Sequence, residues 1–287
     1  MIQSSELILN PDGSVYHLNL RPEHIAHDII FVGDQDRVSK ITKHFDRLDF
    51  STQKREFKTE TGFYKGKRIS VVSTGIGPDN IDIVMNELDT LVNIDLKTRT
   101  IKENHTQLRI VRVGTSGALQ PEIDVDSIVM SAFGLGLDNM LRSYQIDEIT
   151  ELSMEKSFVE HCHWDVRKGQ PYAVKASDYL LQKLDDATIF KGITATSGGF
   201  YGPQGRILRL PIQDIELNNK MDSFDYQGIK ITNLEMETAA IYGLGKLLGH
   251  ECLSMNAIIA NRATKTFSKD PYKTVDDLIA YTLEKLV

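Results

Sequence analysis

The chain has 287 residues, with 33 Lys and Arg against 40 Asp and Glu, a formal charge of −7, and 41% hydrophobic residues. It is long enough to bury a full core, and its acidity excludes a general nucleic-acid binder, which needs a basic face. Cys162 and Cys252 are the only cysteines, which excludes a disulfide framework and a four-cysteine zinc site, and no apolar run is long enough to span a bilayer. A reducing cytoplasm is the expected compartment. No repeat, low-complexity tract or Pro/Gly/Ser-rich linker divides the sequence, so one domain over residues 1–287 is expected.

In chain order, residues 28–32 form an apolar run ending at Gly33-Asp34, and residues 36–45 have helical character. Arg37 falls in the first turn of that helix, beside the amides of the turn, a pairing suited to an anion. Residues 57–72 read as a hairpin turning at Tyr64-Lys65-Gly66-Lys67. It runs into Ser73-Thr74-Gly75-Ile76-Gly77-Pro78 and a helix over residues 79–91, capped by Asp79 or Asn80. Residues 108–113 predict a buried strand breaking into a Gly114-Thr115-Ser116-Gly117 loop, at the strand end where open α/β sheets bind ligands. Arg112, between Val111 and Val113, is expected to be half buried and to want an oxyanion. An ordinary strand-to-loop turn with a solvated arginine is the plainer alternative.

Residues 126–130 predict a further strand, and the polar, mixed stretch 139–164 a surface excursion. A helix over 179–186 precedes a strand over 192–196 that enters the glycine-rich run from Ser197 to Arg206. Residues 228–233 lead to Leu234-Glu235-Met236-Glu237, followed by a helix over 238–248. A buried strand over 252–260 ends at Asn261-Arg262, and an amphipathic helix over 274–286 closes the chain. The alternation predicts a mixed, mainly parallel sheet covered on both faces by helices, an α/β class.

Polar clusters thus fall at strand ends: Gly33-Asp34 with Arg37, Arg112 with Thr115, Gln204 with Arg206, Glu235-Met236-Glu237, and Asn261-Arg262. Together they predict one cleft lined by arginines, an amide and two carboxylates, with no evident nucleophile. No nucleophile elbow, P-loop lysine motif or dinucleotide glycine fingerprint is present. His161-Cys162-His163 places two histidines on one side with no third ligand, so no metal centre is expected there. Gly243-Leu244-Gly245 reads as a packing device inside a helix.

The order of these elements resembles that of the nucleoside phosphorylase family with the open α/β fold, over nearly the whole length. The motifs are Val15-Tyr16-His17-Leu18, Gly33-Asp34-x-x-Arg37-Val38, Arg55-Glu56-Phe57, Ser73-Thr74-Gly75-Ile76-Gly77, Arg112-Val113-Gly114-Thr115-Ser116-Gly117, Phe200-Tyr201-x-x-Gln204-x-Arg206 and Glu235-Met236-Glu237. The Gln-x-Arg element after Phe-Tyr is specific to the branch of the uridine phosphorylases. The resemblance implies a single-domain, three-layer α/β/α fold. It also implies phosphorolysis of uridine, with deoxyuridine or thymidine as further substrates, to uracil and the sugar 1-phosphate; the alternatives are a purine nucleoside phosphorylase or nucleosidase of the same fold, or a non-catalytic nucleoside-binding protein.

It further implies roles. Gly33, Arg37, Arg112 and Thr115 hold phosphate, joined by Arg55 from a neighbouring subunit. Met236 and Glu237 hold the ribose with assistance from Glu235, and His17 of the neighbour meets the 5′-hydroxyl. Gln204 and Arg206 read the base, Arg262 supports Arg206 through water, and Phe200 stacks on base or sugar. Phosphate is a co-substrate, no cofactor is implied, and the partners are small molecules and further copies of the chain, assembled from dimers. Purine-cleaving relatives place an aspartate near Asn261-Arg262, which this chain lacks. Relatives also carry Pro where this chain has Val32, and a longer Gly-Gly-Pro-Ser where it has Gly77-Pro78-Asp79-Asn80. The monovalent-cation site of hexameric members, built on a glutamate matching Glu56 and that serine, is left open.

Overall fold

The computed structural model describes residues 1–287. β1 (Asp28–Val32) is buried at every position and pairs in parallel with β4 (Lys67–Ser73) on one side and β7 (Arg109–Ala118) on the other. Such a strand, covered on both faces, must be a continuous apolar run. Helix α1 (Gln35–Thr42) starts where the Asp34 side chain accepts the Asp36 N–H. It is followed by β2 (Arg47–Lys54) and β3 (Phe57–Tyr64), which extend one edge antiparallel. The expected helix to residue 45 stops at Thr42 because β2 begins five residues later.

Helix α2 (Pro78–Asn93) leads to a separate ribbon of β5 (Ile94–Asp95) and β6 (Thr100–Ile101). Neither Asp79 nor Asn80 caps α2. Its cap position is Gly77, without a side-chain bond. After β7 come β8 (Ile128–Gly136), α3 (Leu152–Cys162), β9 (Tyr172–Lys175), α4 (Asp178–Lys183) and β10 (Phe190–Thr196). Then follow α5 (Leu217–Asp222), β11 (Asp225–Tyr226), β12 (Ile229–Glu235), α6 (Thr238–Leu247), β13 (Glu251–Asn261), β14 (Thr266–Phe267) and α7 (Pro271–Leu286).

The strands form one 12-stranded sheet in the order β11-β12-β10-β8-β13-β7-β1-β4-β3-β2, with β9 beside β8 and β14 beside β13. The runs β4-β1-β7-β13 and β8-β10-β12 are parallel, the mixed and mainly parallel sheet that alternation implies. β12 also meets β7 antiparallel, with Asn233 opposite Ala118 and Leu234 opposite Gly117. The sheet therefore curls until β12, β10, β8, β13 and β7 close a ring. That closure brings the ends of β7 and β12, the two strands richest in polar motifs, side by side.

Two expectations are corrected. Gly114-Thr115-Ser116-Gly117 is no loop: β7 stays in parallel register with β13 as far as Ser116 opposite Ile258, and resumes after a bulge. Residues 139–164 are no surface excursion either. Within them α3 buries Met154, Phe158 and Cys162 in a second hydrophobic cluster with Leu135, Ile193 and Phe224. Helix α6 packs on β8, β10 and β13, and α7 on β7 and β13. Gly243 of α6 lets Leu141 approach, as its packing pattern implied.

Candidate active site

A cleft of about 1280 Å³ lies where β1, β7, β12 and β13 end. It is lined by Gly33, Arg37, Arg112, Thr115, Phe200, Gln204, Arg206, Glu235, Met236, Glu237 and Arg262. All but two of the site residues expected from the sequence therefore share one cavity. A more apolar cleft of about 720 Å³ adjoins it and shares Arg206. The larger one gathers the titratable groups and is the candidate site.

At one end Arg112 is 6% exposed, deeper than the half burial expected. Its Nη2 lies 2.6 Å from Glu237 Oε2 and 3.2 Å from Glu235 Oε2, and its Nη1 donates to Asn256 Oδ1 at 2.9 Å. Gly114 permits this fold of the guanidinium, since a Cβ there would stand 1.9 Å from Nη1. Burial works against the charge of Arg112, but Glu235 and Glu237 outweigh it and hold its pKa up. Two carboxylates share one guanidinium, so the charged form of Glu237 is the disfavoured one: burial, aided by Glu235, raises its pKa against the pull of Arg112.

Glu237 Oε1 also accepts the Gly77 N–H at 2.8 Å, which fixes the carboxylate at the mouth of α2. Glu235 lines the cleft beside Glu237 but is bonded to protein groups. Its oxygens accept from Thr196 Oγ1, from the Glu237 and Thr238 backbone N–H groups, and from Arg112. With its acceptor sites filled by protein, it anchors the start of α6 and positions Arg112 and Glu237 rather than reaching a sugar. Arg37 contrasts with both. It donates to Val113 O at 3.3 Å and has no carboxylate within ion-pair distance. Burial, then the nearby Arg112, lowers its pKa. A half-buried guanidinium without a counter-ion, beside Gly33 and Thr115, is a site for an anion.

At the other end Gln204 is 2% exposed, and its Oε1 accepts from Arg206 Nη1 at 2.5 Å and from Arg262 Nη2 at 2.9 Å. Arg262 thus holds Gln204 directly. Arg206 also donates to Phe200 O and stacks on the Phe200 ring, 3.7 Å from its centroid. Burial lowers the pKa of both arginines, and that of Arg262 falls to about 10 because Arg206 adds its repulsion. Neither has a carboxylate partner, so this end favours electron-rich oxygen. The Asn261 amide donates to Gln120 O and Ile123 O, each at 2.8 Å, and its oxygen accepts from Thr264 N–H. It is committed to the turn after β13.

His17 and Arg55 do not line the cleft. His17 Nδ1 lies 2.7 Å from Glu87 Oε1 on α2, and the exposed Arg55 sits in the β2–β3 turn with φ 55°. Asn256 and Ser254, which hold Arg112, were missed from the sequence. Their signal was present: polar residues alternating in the otherwise apolar run of β13. His161 bonds to Lys220 O and Ser223 Oγ, not to a metal-like cluster.

The sequence model of the phosphorylase superfamily matches residues 28–287. The chain belongs to this superfamily. A uridine phosphorylase of Thermococcus kodakarensis is 28% identical over 93% of this chain and 84% of that one. A DeoD-type purine nucleoside phosphorylase of Listeria monocytogenes is 26% identical over 94% and 98%. In solved structures, a Trypanosoma brucei nucleoside phosphorylase described as showing uridine phosphorylase activity matches with a TM-score of 0.87. It is 27% identical and covers 98% of this chain and 99% of that one. As a member of the superfamily the chain is a pentosyl-transferring enzyme acting on nucleosides and phosphate.

Proposed function

We propose that this chain is a uridine phosphorylase of pyrimidine salvage. The observation that carries the reading is the base end of the cleft. There Gln204 and Arg206 sit two positions apart, with Arg262 behind them and no carboxylate beside either arginine. The uridine phosphorylases among the relatives support the same reading.

In this reaction the C1′–N1 bond breaks, its electron pair leaves with the base, and a phosphate oxygen forms the new bond to C1′. A proton from solvent completes uracil, and ribose 1-phosphate is the second product. Phosphate is already a competent nucleophile, so no activated Ser, Cys or cofactor is required. Arg37, Thr115 and the Gly33 backbone receive phosphate at the anion end. Glu237, oriented by Arg112 and the Gly77 amide, accepts from the ribose hydroxyls, with Met236 against the sugar. Arg206 meets the carbonyl oxygen on which charge accumulates, and Gln204, its Oε1 held by two guanidiniums, is left with Nε2 to donate to the other carbonyl of the ring. Phe200 covers the ring from outside. Asn261, locked in its turn, offers no acid to a purine, which favours uridine over inosine. His17 and Arg55 act from a neighbouring copy in an assembly built on dimers, in the cytoplasm.

The test is uracil release from uridine with and without phosphate, alongside thymidine and inosine. Strictly phosphate-dependent release, fastest with the pyrimidines, is expected. Release without phosphate would make the chain a hydrolase, and preference for inosine would make it a purine enzyme. Arg206→Ala is expected to lower kcat/KM for uridine by about 1–3 kcal/mol of transition-state stabilisation with the fold intact.

A further inference from the structure

The base end holds one side chain that the foregoing account leaves unused. Asn218, at the start of α5, lines the cleft beside Arg262 and Gln204. Its Oδ1 accepts from Arg262 Nη1 at 3.1 Å. A guanidinium has donors only, so the amide can present nothing but its oxygen to Arg262, and Nδ2 must face the other way. That nitrogen finds no acceptor in the protein, and it is not sealed from solvent. Gly205, in the left-handed region at φ 72°, makes room for the amide, since a Cβ there would fall 2.6 Å from Nδ2.

The surroundings give this free donor a meaning. Gln204 Oε1 already accepts from two arginines, and the Asn261 amide is committed to backbone partners. Side-chain donors therefore outnumber free acceptors at this end, a surface complementary to ring carbonyls. We propose that Asn218 is a specificity-determining residue, whose Nδ2 donates to a carbonyl oxygen of the pyrimidine and discriminates against rings carrying an amine there. An exocyclic amine would set N–H against N–H and leave a desolvated donor unpaired. The inference rests on the uridine reading above and adds a residue to its base selection.

The experiment compares wild type with Asn218→Ala and the near-isosteric Asn218→Asp, checking first that each variant melts as wild type does. In both variants kcat/KM for uridine is expected to fall about tenfold while KM for phosphate stays within about twofold. Asn218→Asp, which replaces the donor by an acceptor, is also expected to raise the ratio of cytidine to uridine turnover, and Asn218→Ala is not. Uridine turnover unchanged in Asn218→Ala, or a phosphate KM that climbs in step with the uridine KM, would overturn the proposal. Calorimetric binding of free uracil to the same proteins separates the two readings. If wild type does not turn over uridine, the activity fails, and weaker uracil binding by Asn218→Ala still upholds the role of Asn218. Equal binding by both proteins, or none by wild type, overturns it.

Discussion

Arg37 and Arg112 are the same residue type with opposite circumstances. Arg112 is neutralised by Glu235 and Glu237, so its charge is settled before any ligand arrives. Arg37 is desolvated with no such partner, and a base whose pKa is lowered by folding costs stability at every pH where it stays charged. At neutral pH an anion removes that cost. Phosphate is therefore expected to raise Tm of the wild type, by up to about 2.7 kcal/mol of stability at a hundredfold excess over Kd. Arg37→Met is expected to melt no lower than wild type without phosphate and to lose most of the phosphate-induced rise. An undiminished rise in the variant would place the anion elsewhere. Arg37 was legible from sequence because its signal is local: an arginine in the first turn after a strand and a tight turn. The partners of Arg112 were not legible, because Glu237 and Asn256 come from 125 and 144 positions away and only the sheet register joins them.

Among the elements, α6 shows how a strand end and a helix start make one device. β12 ends at Glu235, and α6 begins at Thr238, so a single carboxylate reaches the orphan N–H groups of the helix while the same Oε2 meets Arg112. A carboxylate at a helix amino terminus is favoured by the aligned peptide dipoles as well as by hydrogen bonds. Glu235→Gln keeps the shape, but its amide turns a donor toward N–H groups and leaves one negative charge fewer for Arg112. A loss of about 1–3 kcal/mol in chemical unfolding is expected, since Arg112 keeps Glu237 as a partner, with activity falling in proportion to the misplacement of Glu237. A stability loss under about 1 kcal/mol would show that Glu235 does not anchor the helix. The same scale explains what sequence reading confused. Glycines and hydroxyls at 114–117 look like a loop, yet parallel pairing with β13 and the crossing by β12 keep them extended. Strand β2, exposed along most of its length, gave no burial pattern to find. By contrast β1, β4, β13 and α6, buried on most faces, were legible from apolar runs alone.

For the whole molecule, the sheet gathers the residues proposed for phosphate, sugar and base into one cleft yet leaves His17 and Arg55 outside it. Arg55 lies on an exposed turn, and its backbone oxygen is joined to Gln35, a residue of the cleft rim. In the proposed dimer, this exposed arginine, in a left-handed turn at the rim of its own cleft but not lining it, would reach across to the cleft of the neighbouring copy. The proposed shared site makes a prediction that mass alone cannot. Arg55→Ala and Arg206→Ala should each lose activity as pure proteins, Arg206→Ala by about 1–3 kcal/mol of transition-state stabilisation. Unfolded together and refolded as a mixture, half the dimers are mixed. Each mixed dimer holds one site with both arginines and one with neither. About a quarter of wild-type activity is therefore expected to return. No recovery in a mixture shown by light scattering to have formed dimers would mean that each chain supplies its own Arg55, and the exchange of residues between copies would fall.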